Sequence, residues 1–309
     1  MRFAVSSSKQ PERSFHMFTE LAKRIRFPEE AIAELNEKHE LLMKSPKLYA
    51  ELYHAMDAFF MEGGRSFVAT LDRIADEAKI PNYTVHMIFV LLAAKPMHYL
   101  YAQKGISDDV YYDTLTDLTC KLWECKKVHN VWGTFVVWWY PHIYACKIVK
   151  LGRLEYEPIK FPYDDYKGIL KKGDQVYSCH IPSSGPVTRE SVIESFKLAY
   201  EFYEDELLNG LLPVYCSSWM LYPQHKALYG ERSNLRSFYE LFDIIDAVEN
   251  TDNHNFWRIF NIEYSPETLD SAPEDTSLQR SFKSYIKQGN NMGTGKGILL
   301  FDGEKIVDR

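Results

Sequence analysis

Nine residues near the C-terminus, "GNNMGTGKG" (289–297), hold four glycines and a lysine, the residue types of a phosphate cradle. A cradle of the G-x-x-x-x-G-K-[ST] kind leaves four residues between its glycines and is entered from a strand and left by a helix. Here five residues separate Gly289 from Gly295, and Gly297 stands where the hydroxyl should be. The order is also reversed, with "TSLQRSFKSYIKQ" helical in pattern before it and "GILLFD" strand-like after it. The stretch therefore reads as a helix C-cap followed by a turn.

A second stretch, "VYSCHIPSSGPVTRESV" (176–192), has strand, short loop and helix in the required order. Ser183, Ser184 and Gly185 let backbone approach a ligand closely, and Thr188 can cap the helix whose first amides would face a pyrophosphate or carboxylate. Pro186 has no N–H, so the loop offers one donor fewer than an open nest. Any strand-to-helix turn uses similar residues, so spacing alone leaves both readings open.

His180 ends the strand before this loop. It can serve as a base near neutral pH or simply bond the backbone. Glu155 and Glu157 in "LEYEP" alternate onto one strand face, either to draw in an ammonium group or as solvated carboxylates. Cys216, with Ser217 and Ser218, lies on "LPVYCSSWML". Paired with His180 it would be a covalent nucleophile, and otherwise it is a buried thiol. The ten histidines show no H-x-x-x-H or H-E-x-x-H spacing, so no metal site is expected. The Trp and Tyr cluster at 132–144 is a ligand wall or a packed core.

Two kinds of element must position these residues. Up to about 149 the chain reads as successive helices. "PEEAIAELNEKHELLMK" opens on Pro28 and two acids, and "SPKLYAELYHAMDAFFME" is capped by Ser45. "SFVATLDRIADEAKI" stops at Pro81, "NYTVHMIFVLLAAK" is apolar nearly all round, and "SDDVYYDTLTDLTCKLWECKK" is capped by Ser107. "TFVVWWYPHIYACKIV" is expected to be mostly helical and buried. From 150 to 309, "GRLEYEPIKF" and "QVYSCHIP" alternate as neighbouring strands joined by the polar turn "YDDYKGILKKGD". "VTRESVIESFKLAYEFYEDEL" is an amphipathic helix. "LPVYCSSWML" and "DIIDAVEN" are strands on either side of the short helix "SNLRSFYELF", and two more helices precede "GILLFD". The expected architecture is α+β: an all-α domain over 1–149, then a mixed-sheet domain over 150–309.

Composition narrows the function classes. With 21 Tyr, 18 Phe and 6 Trp in 309 residues, the chain can build more than one packed core. A net charge of −7 without a basic run argues against nucleic acid. Five cysteines without paired spacing imply reduced thiols and a cytoplasmic protein. "MRFAVSSSKQPERS" lacks the apolar core of a signal peptide, and the apolar run "VHMIFVLLAA" (85–94) is too short to span a bilayer, so no membrane partner is expected.

"YAQKGISDDVYYDTLTDL" (101–118), "LGRLEYE" (151–157), "CHIPSSGPV" (179–187), "CSSWMLYP" (216–223) and "SNLRSFYELF" (233–242) resemble, in the same order, a bacterial acyltransferase family. Its members carry an N-terminal helical N-acyltransferase domain and a GNAT-like C-terminal domain. The resemblance implies a mixed sheet splayed like a V and a strand–loop–helix element whose amides bind the pyrophosphate of acetyl-CoA or another acyl-CoA. It also implies direct acyl transfer to a small-molecule amine, with a base for the ammonium, an acid for the thiolate and an amide for the oxyanion. Carried over, the CoA loop is Ser183, Ser184, Gly185, Pro186, Val187 and Thr188. It departs from the superfamily's Q/R-x-x-G-x-G/A pattern in having one glycine followed by a proline. Tyr239 becomes the candidate acid to the thiolate and Tyr285 a second one, though helical tyrosines also serve as core packing. His180 is the candidate base, and Cys216 belongs to the covalent alternative. The acceptor is expected at the interdomain cleft. The alternative function is a catalytically inactive, ligand-binding or sensing protein on the same scaffold.

Overall fold

The computed structural model of the chain describes residues 18–62 and 66–307. It divides into two compact units, one ending at Ile148 and the other beginning at Val149.

In the first unit, helical residues 18–24 (α1) are followed by α2 (Glu29–Met43), α3 (Pro46–Glu62), α4 (Ser66–Ala78) and α5 (Asn82–Gln103). Then come α6 (Asp108–Leu115), α7 (Asp117–His129) and the short α8 (Tyr140–Tyr144). Helix α5 is the hub, touching α2, α4, α6, α7 and α8. All its residues from Thr84 to Ala94 are buried, as expected of an element apolar all round. Pro96 does not end the helix, which continues to Gln103. A proline there removes a bond to the carbonyl four residues back. Tyrosines from other helices bond the carbonyls on either side of that point: Tyr144 Oη donates to Val90 O at 2.6 Å and Tyr111 Oη to Ala94 O at 2.8 Å. With this extension α5 is long and apolar enough, by length and composition, to cross a membrane, which the shorter run 85–94 did not predict. Two-thirds of that apolar window is buried inside the unit (67%), where it serves as core. Phe59 anchors the rest of the core, with edge-on contacts at 5.1–5.2 Å to Phe67, Phe89 and Tyr144.

The second unit is a mixed sheet. Its strands are β1 (Val149–Leu151), β2 (Leu154–Lys160), β5 (Gln175–His180), β6 (Leu212–Ser218), β7 (Asp243–Glu249), β8 (Gly293–Phe301) and β9 (Ile306–Val307). They lie in the order β1-β2-β5-β6-β8-β7, with β9 also on β8. Among the described residues, β5 and β6 run parallel and every other pair of this sheet is antiparallel. The stretch expected to be a plain turn after β2 carries a small hairpin, β3 (Asp165–Tyr166) and β4 (Leu170–Lys171). Its Tyr166 and Leu170 cover one sheet face together with Val176, Tyr215, Ile298 and Leu300. Helix α9 (Arg189–Phe202) is on the face of Tyr156, which bonds its Ser195, and Phe196 packs against Phe301 at 5.8 Å. Helices α10 (Asn234–Tyr239), α11 (Trp257–Phe260), α12 (Pro266–Ser271) and α13 (Ser277–Lys287) close the unit around Trp219, Phe256, Phe260, Phe282 and Ile286.

The glycine-rich stretch is structural. Gly289 ends α13 with φ +86°, and the later glycines lie in β8. A Cβ at Gly295 would stand 1.9 Å from Leu221 O, so glycine lets the chain after β6 lie directly on the strand.

His39 in the first unit and His225 in the second are held neutral most strongly, and burial also lowers His86 of the first unit. His39 stacks on Phe18 at 5.6 Å, and its Nδ1 has no hydrogen-bond partner. His225 sits against Phe282 at 4.7 Å with Nδ1 on Trp219 O at 2.8 Å, and its Nε2 has no partner. Burial lowers each of these two from 6.5 to about 4. The unfolded chain therefore binds more protons between those pH values. The stability that depends on neutral imidazole is complete above pH 6.5 and drains away as pH falls toward 4, by about 3 kcal/mol for each histidine. Urea midpoints measured at pH 7.5, 6 and 5 should fall steadily; a flat series would contradict this account.

Candidate functional site

The site forms where the sheet parts. Pairing between β5 and β6 is confined to Tyr177↔Val214 and Ser178↔Tyr215. Beyond it, β5 stays bonded to β2 as far as His180, while β6 stays bonded to β8 as far as Ser218. The parallel strands thus diverge, one with each half of the sheet. The strand–loop–helix element begins at that point.

In the loop, Ser183, Ser184, Gly185 and Pro186 are exposed, and Gly185 has φ +122° with open space where a Cβ would lie. Thr188 caps α9, its Oγ1 accepting from Ser191 N at 3.2 Å. Among the described residues, the amides of Ser183, Ser184, Gly185, Val187, Thr188, Arg189 and Glu190 donate to no protein acceptor. They sit beside the positive end of a 14-residue helix, and such a set favours an anion. The fold has not consumed these donors.

At the end of β5, His180 is brought to the acidic residues of β2. Glu155 is its direct cross-strand partner and Glu157 pairs with Ser178, so Glu155, Glu157 and His180 share one face. His180 Nε2 lies 3.4 Å from Glu157 Oε2, with the side chains 26% and 15% exposed, whereas Glu155 is 2% exposed. Partly wet, oriented by a carboxylate and next to the divergence, this imidazole is placed to take a proton. The same face carries Lys296 of β8 beyond the divergence. Its Nζ is 2.7 Å from Asp246 Oδ2, which also accepts from Tyr163 Oη at 2.9 Å. Those two bonds, Lys296 first, hold the Asp246 carboxyl below its usual range.

Cys216 is not brought to His180. The Cys216 thiol is fully buried, and its hydrogen bond to Cys179 and its burial push its pKa well above the usual value of 9. Cys179 precedes His180 on β5, so strand alternation sends the two side chains to opposite faces. Cys216 therefore shares the face of Cys179, away from the imidazole, and the covalent Cys–His alternative has no geometry to support it.

The two candidate acids are both half-buried helical tyrosines. Tyr239 ends α10, packs against the cluster around Trp219 and Tyr229, and has Lys226 Nζ 5.1 Å from its ring centroid. Tyr285 of α13 lies 6.0 Å from the ring of His225. Burial raises the pKa of each phenol, keeping it protonated at neutral pH. Among the described residues no group of three His, Cys, Asp or Glu side chains stands together as a metal-ligand set.

The sequence pattern had not marked Arg153 or Ser195. Ser195 Oγ of α9 accepts from Leu154 N at 3.1 Å and donates to Leu151 O, bolting the β1–β2 turn to the helix. Arg153, in that turn, donates from Nη2 to Gly185 O at 2.6 Å and from Nε to Pro186 O at 3.2 Å. A Gly-Arg turn between alternating segments marks a hairpin. Nothing in it signals a bond to a loop some thirty residues later.

A mixed sheet whose single parallel pair diverges before a donor-rich loop and helix defines a GNAT-like fold. The chain belongs to the family that joins an N-acyltransferase N-terminal domain, matched over residues 17–146, to a GNAT-like C-terminal domain, matched over 148–299. Among solved structures, the chain is similar to an acyltransferase in complex with decanoyl-CoA and teicoplanin, at 21% identity and a TM-score of 0.72 over 90% of this chain and 86% of that one. A mutant acyltransferase with octanoyl-CoA gives 21% and 0.73 over the same shares. A further acyltransferase structure with decanoyl-CoA gives 18% and 0.60 over 91% and 98%. No curated protein matches the chain.

Proposed function

We propose that the chain is an acyl-CoA-dependent N-acyltransferase that moves an acyl group directly from the CoA thioester to the amine of a small molecule. The observation that carries this reading is the run of unclaimed amides at 183–190, placed where β5 and β6 part and beside the His180–Glu157 pair. The diphosphate sits on the amides of Ser183, Ser184, Gly185, Val187 and Thr188 and on the first turn of α9. The thioester lies between the diverging strands. His180 takes the proton from the attacking ammonium while Glu157 orients the imidazole and balances its charge, and Glu155 adds negative potential that favours a cationic acceptor. Collapse of the tetrahedral adduct breaks the C–S bond, and Tyr239 protonates the departing thiolate. The acyl-CoA complexes of the similar acyltransferases support a medium-chain acyl donor, and the teicoplanin complex supports a small-molecule acceptor. The five free thiols suit a cytoplasmic setting.

The test is release of CoA thiol from acetyl-, octanoyl- and decanoyl-CoA with a panel of small amines, with the acylated product identified by mass. Absence of both turnover and a thermal shift by CoA removes the proposal. A thermal shift without turnover points to the ligand-binding alternative. Within active protein, Tyr239→Phe should lower kcat about ten-fold or more, as loss of a general acid does, and Tyr285→Phe should leave it unchanged. The reverse pattern would transfer the acid role to Tyr285.

A further inference from the structure

The loop's two departures from an open nest are a single glycine and a proline that donates nothing. The peptide before Pro186 therefore presents a carbonyl, Gly185 O, with no amide to offset it, in a loop that must meet a polyanion. In this structure that carbonyl is taken up by Arg153, whose guanidinium forks across Gly185 O and Pro186 O.

We propose that Arg153 is a positioning residue for the donor substrate's diphosphate, acting through the loop and restoring what Pro186 removes; this rests on the transferase reading above. Three observations support it. The guanidinium offsets the dipoles of the two loop carbonyls it holds and brings a positive charge to the loop. The Pro186–Val187 peptide is trans, so the Val187 N–H points opposite to the Pro186 carbonyl that Arg153 holds, which aims this donor away from the arginine. The arginine is itself held firmly. Ser195 fastens the β1–β2 turn to α9, and the Ser195 hydroxyl is fully used by Leu151 O, Leu154 N and Tyr156 Oη, the last at 3.0 Å. Turn, helix and loop thus form one braced unit, and the fork joins the side of the loop that Thr188 does not cap.

The decisive experiment compares octanoyl-CoA with S-octanoyl-pantetheine, the same thioester without diphosphate or nucleotide, on wild type, Arg153→Met and Arg153→Lys. Arg153→Met should raise KM for octanoyl-CoA about ten-fold or more, the range for losing a charge-assisted pair of bonds. It should leave kcat and the KM for octanoyl-pantetheine unchanged. Arg153→Lys, which keeps the charge and loses the fork, should fall between. An equal change with both donors, or a change with neither, overturns the proposal. Calorimetry with CoA alone separates it from the transferase reading. CoA binding that Arg153→Met leaves unaltered refutes the role of Arg153 only, and wild type that binds no CoA refutes both.

Discussion

Replacing His180 with glutamine should lower kcat for acyl transfer about a hundred-fold or more while leaving CoA binding intact. Glutamine keeps polarity and approximate size at the end of β5 but cannot carry the proton. The imidazole is not needed to hold the sheet together, because β5 is already paired to β2 through the residues before it. Its partner Glu157 orients the ring at 3.4 Å, so Glu157→Gln should lower kcat less than His180→Gln does. The double variant should be no slower than His180→Gln alone, because a carboxylate that works through the imidazole has nothing to act on once the ring is gone. Single-turnover rates with a saturating amine would decide it. Full activity in His180→Gln would mean that the base lies elsewhere.

The second large effect concerns the fold. Gly295→Ala should destabilise the chain by about 3 kcal/mol or more. The new methyl would fall 1.9 Å from Leu221 O, 2.2 Å from Leu221 C and 2.7 Å from Tyr222 N. These are backbone atoms that no rotamer change can clear. Relief would require lifting the segment after β6 off β8, and with it Trp219 and Tyr222, which pack around the buried His225. Gly230→Ala is the control, since a Cβ there meets nothing within 4 Å. Chemical denaturation of the two variants beside wild type should separate them clearly. Equal midpoints would show that β8 and the segment above it can move apart at little cost.

This crowding also explains why the glycine-lysine stretch resembles a phosphate cradle without being one. Gly295 is required by an approach of backbone to backbone, Gly293 and Gly297 by the side chains of Tyr222 and Phe242 that lie on them, and Gly289 by its positive φ, and together they leave the same one-letter pattern as an approach of backbone to phosphate. Order along the chain distinguished the two cases, because a helix end followed by a strand directs no amides at a ligand.

Much of the architecture was legible because it is local. Helical periodicity and caps such as Ser107 and Thr188 depend on residues within a few positions of each other, and each cap makes the bond expected of it. Alternation in "LEYEP" and "QVYSCH" placed Glu155, Glu157 and His180 on strands, and the shared face follows from their register. The continuation of α5 through Pro96 was not local. The carbonyls on either side of the one the proline leaves unbonded take hydroxyls from Tyr111 and Tyr144, partners that the sequence pattern around the proline does not contain.

The sequence by itself determined the helical half, the sheet half and the strand–loop–helix order that leaves a row of amides unpaired, since each follows from short-range backbone and side-chain preferences. Only the tertiary structure decided which candidate residues meet. It paired His180 with Glu157, turned Cys216 to the opposite face beside Cys179, and brought Arg153 onto the loop. Those outcomes depend on strand register and on the point where β5 and β6 diverge, and register is set by packing across the whole sheet rather than by the neighbours of any one residue.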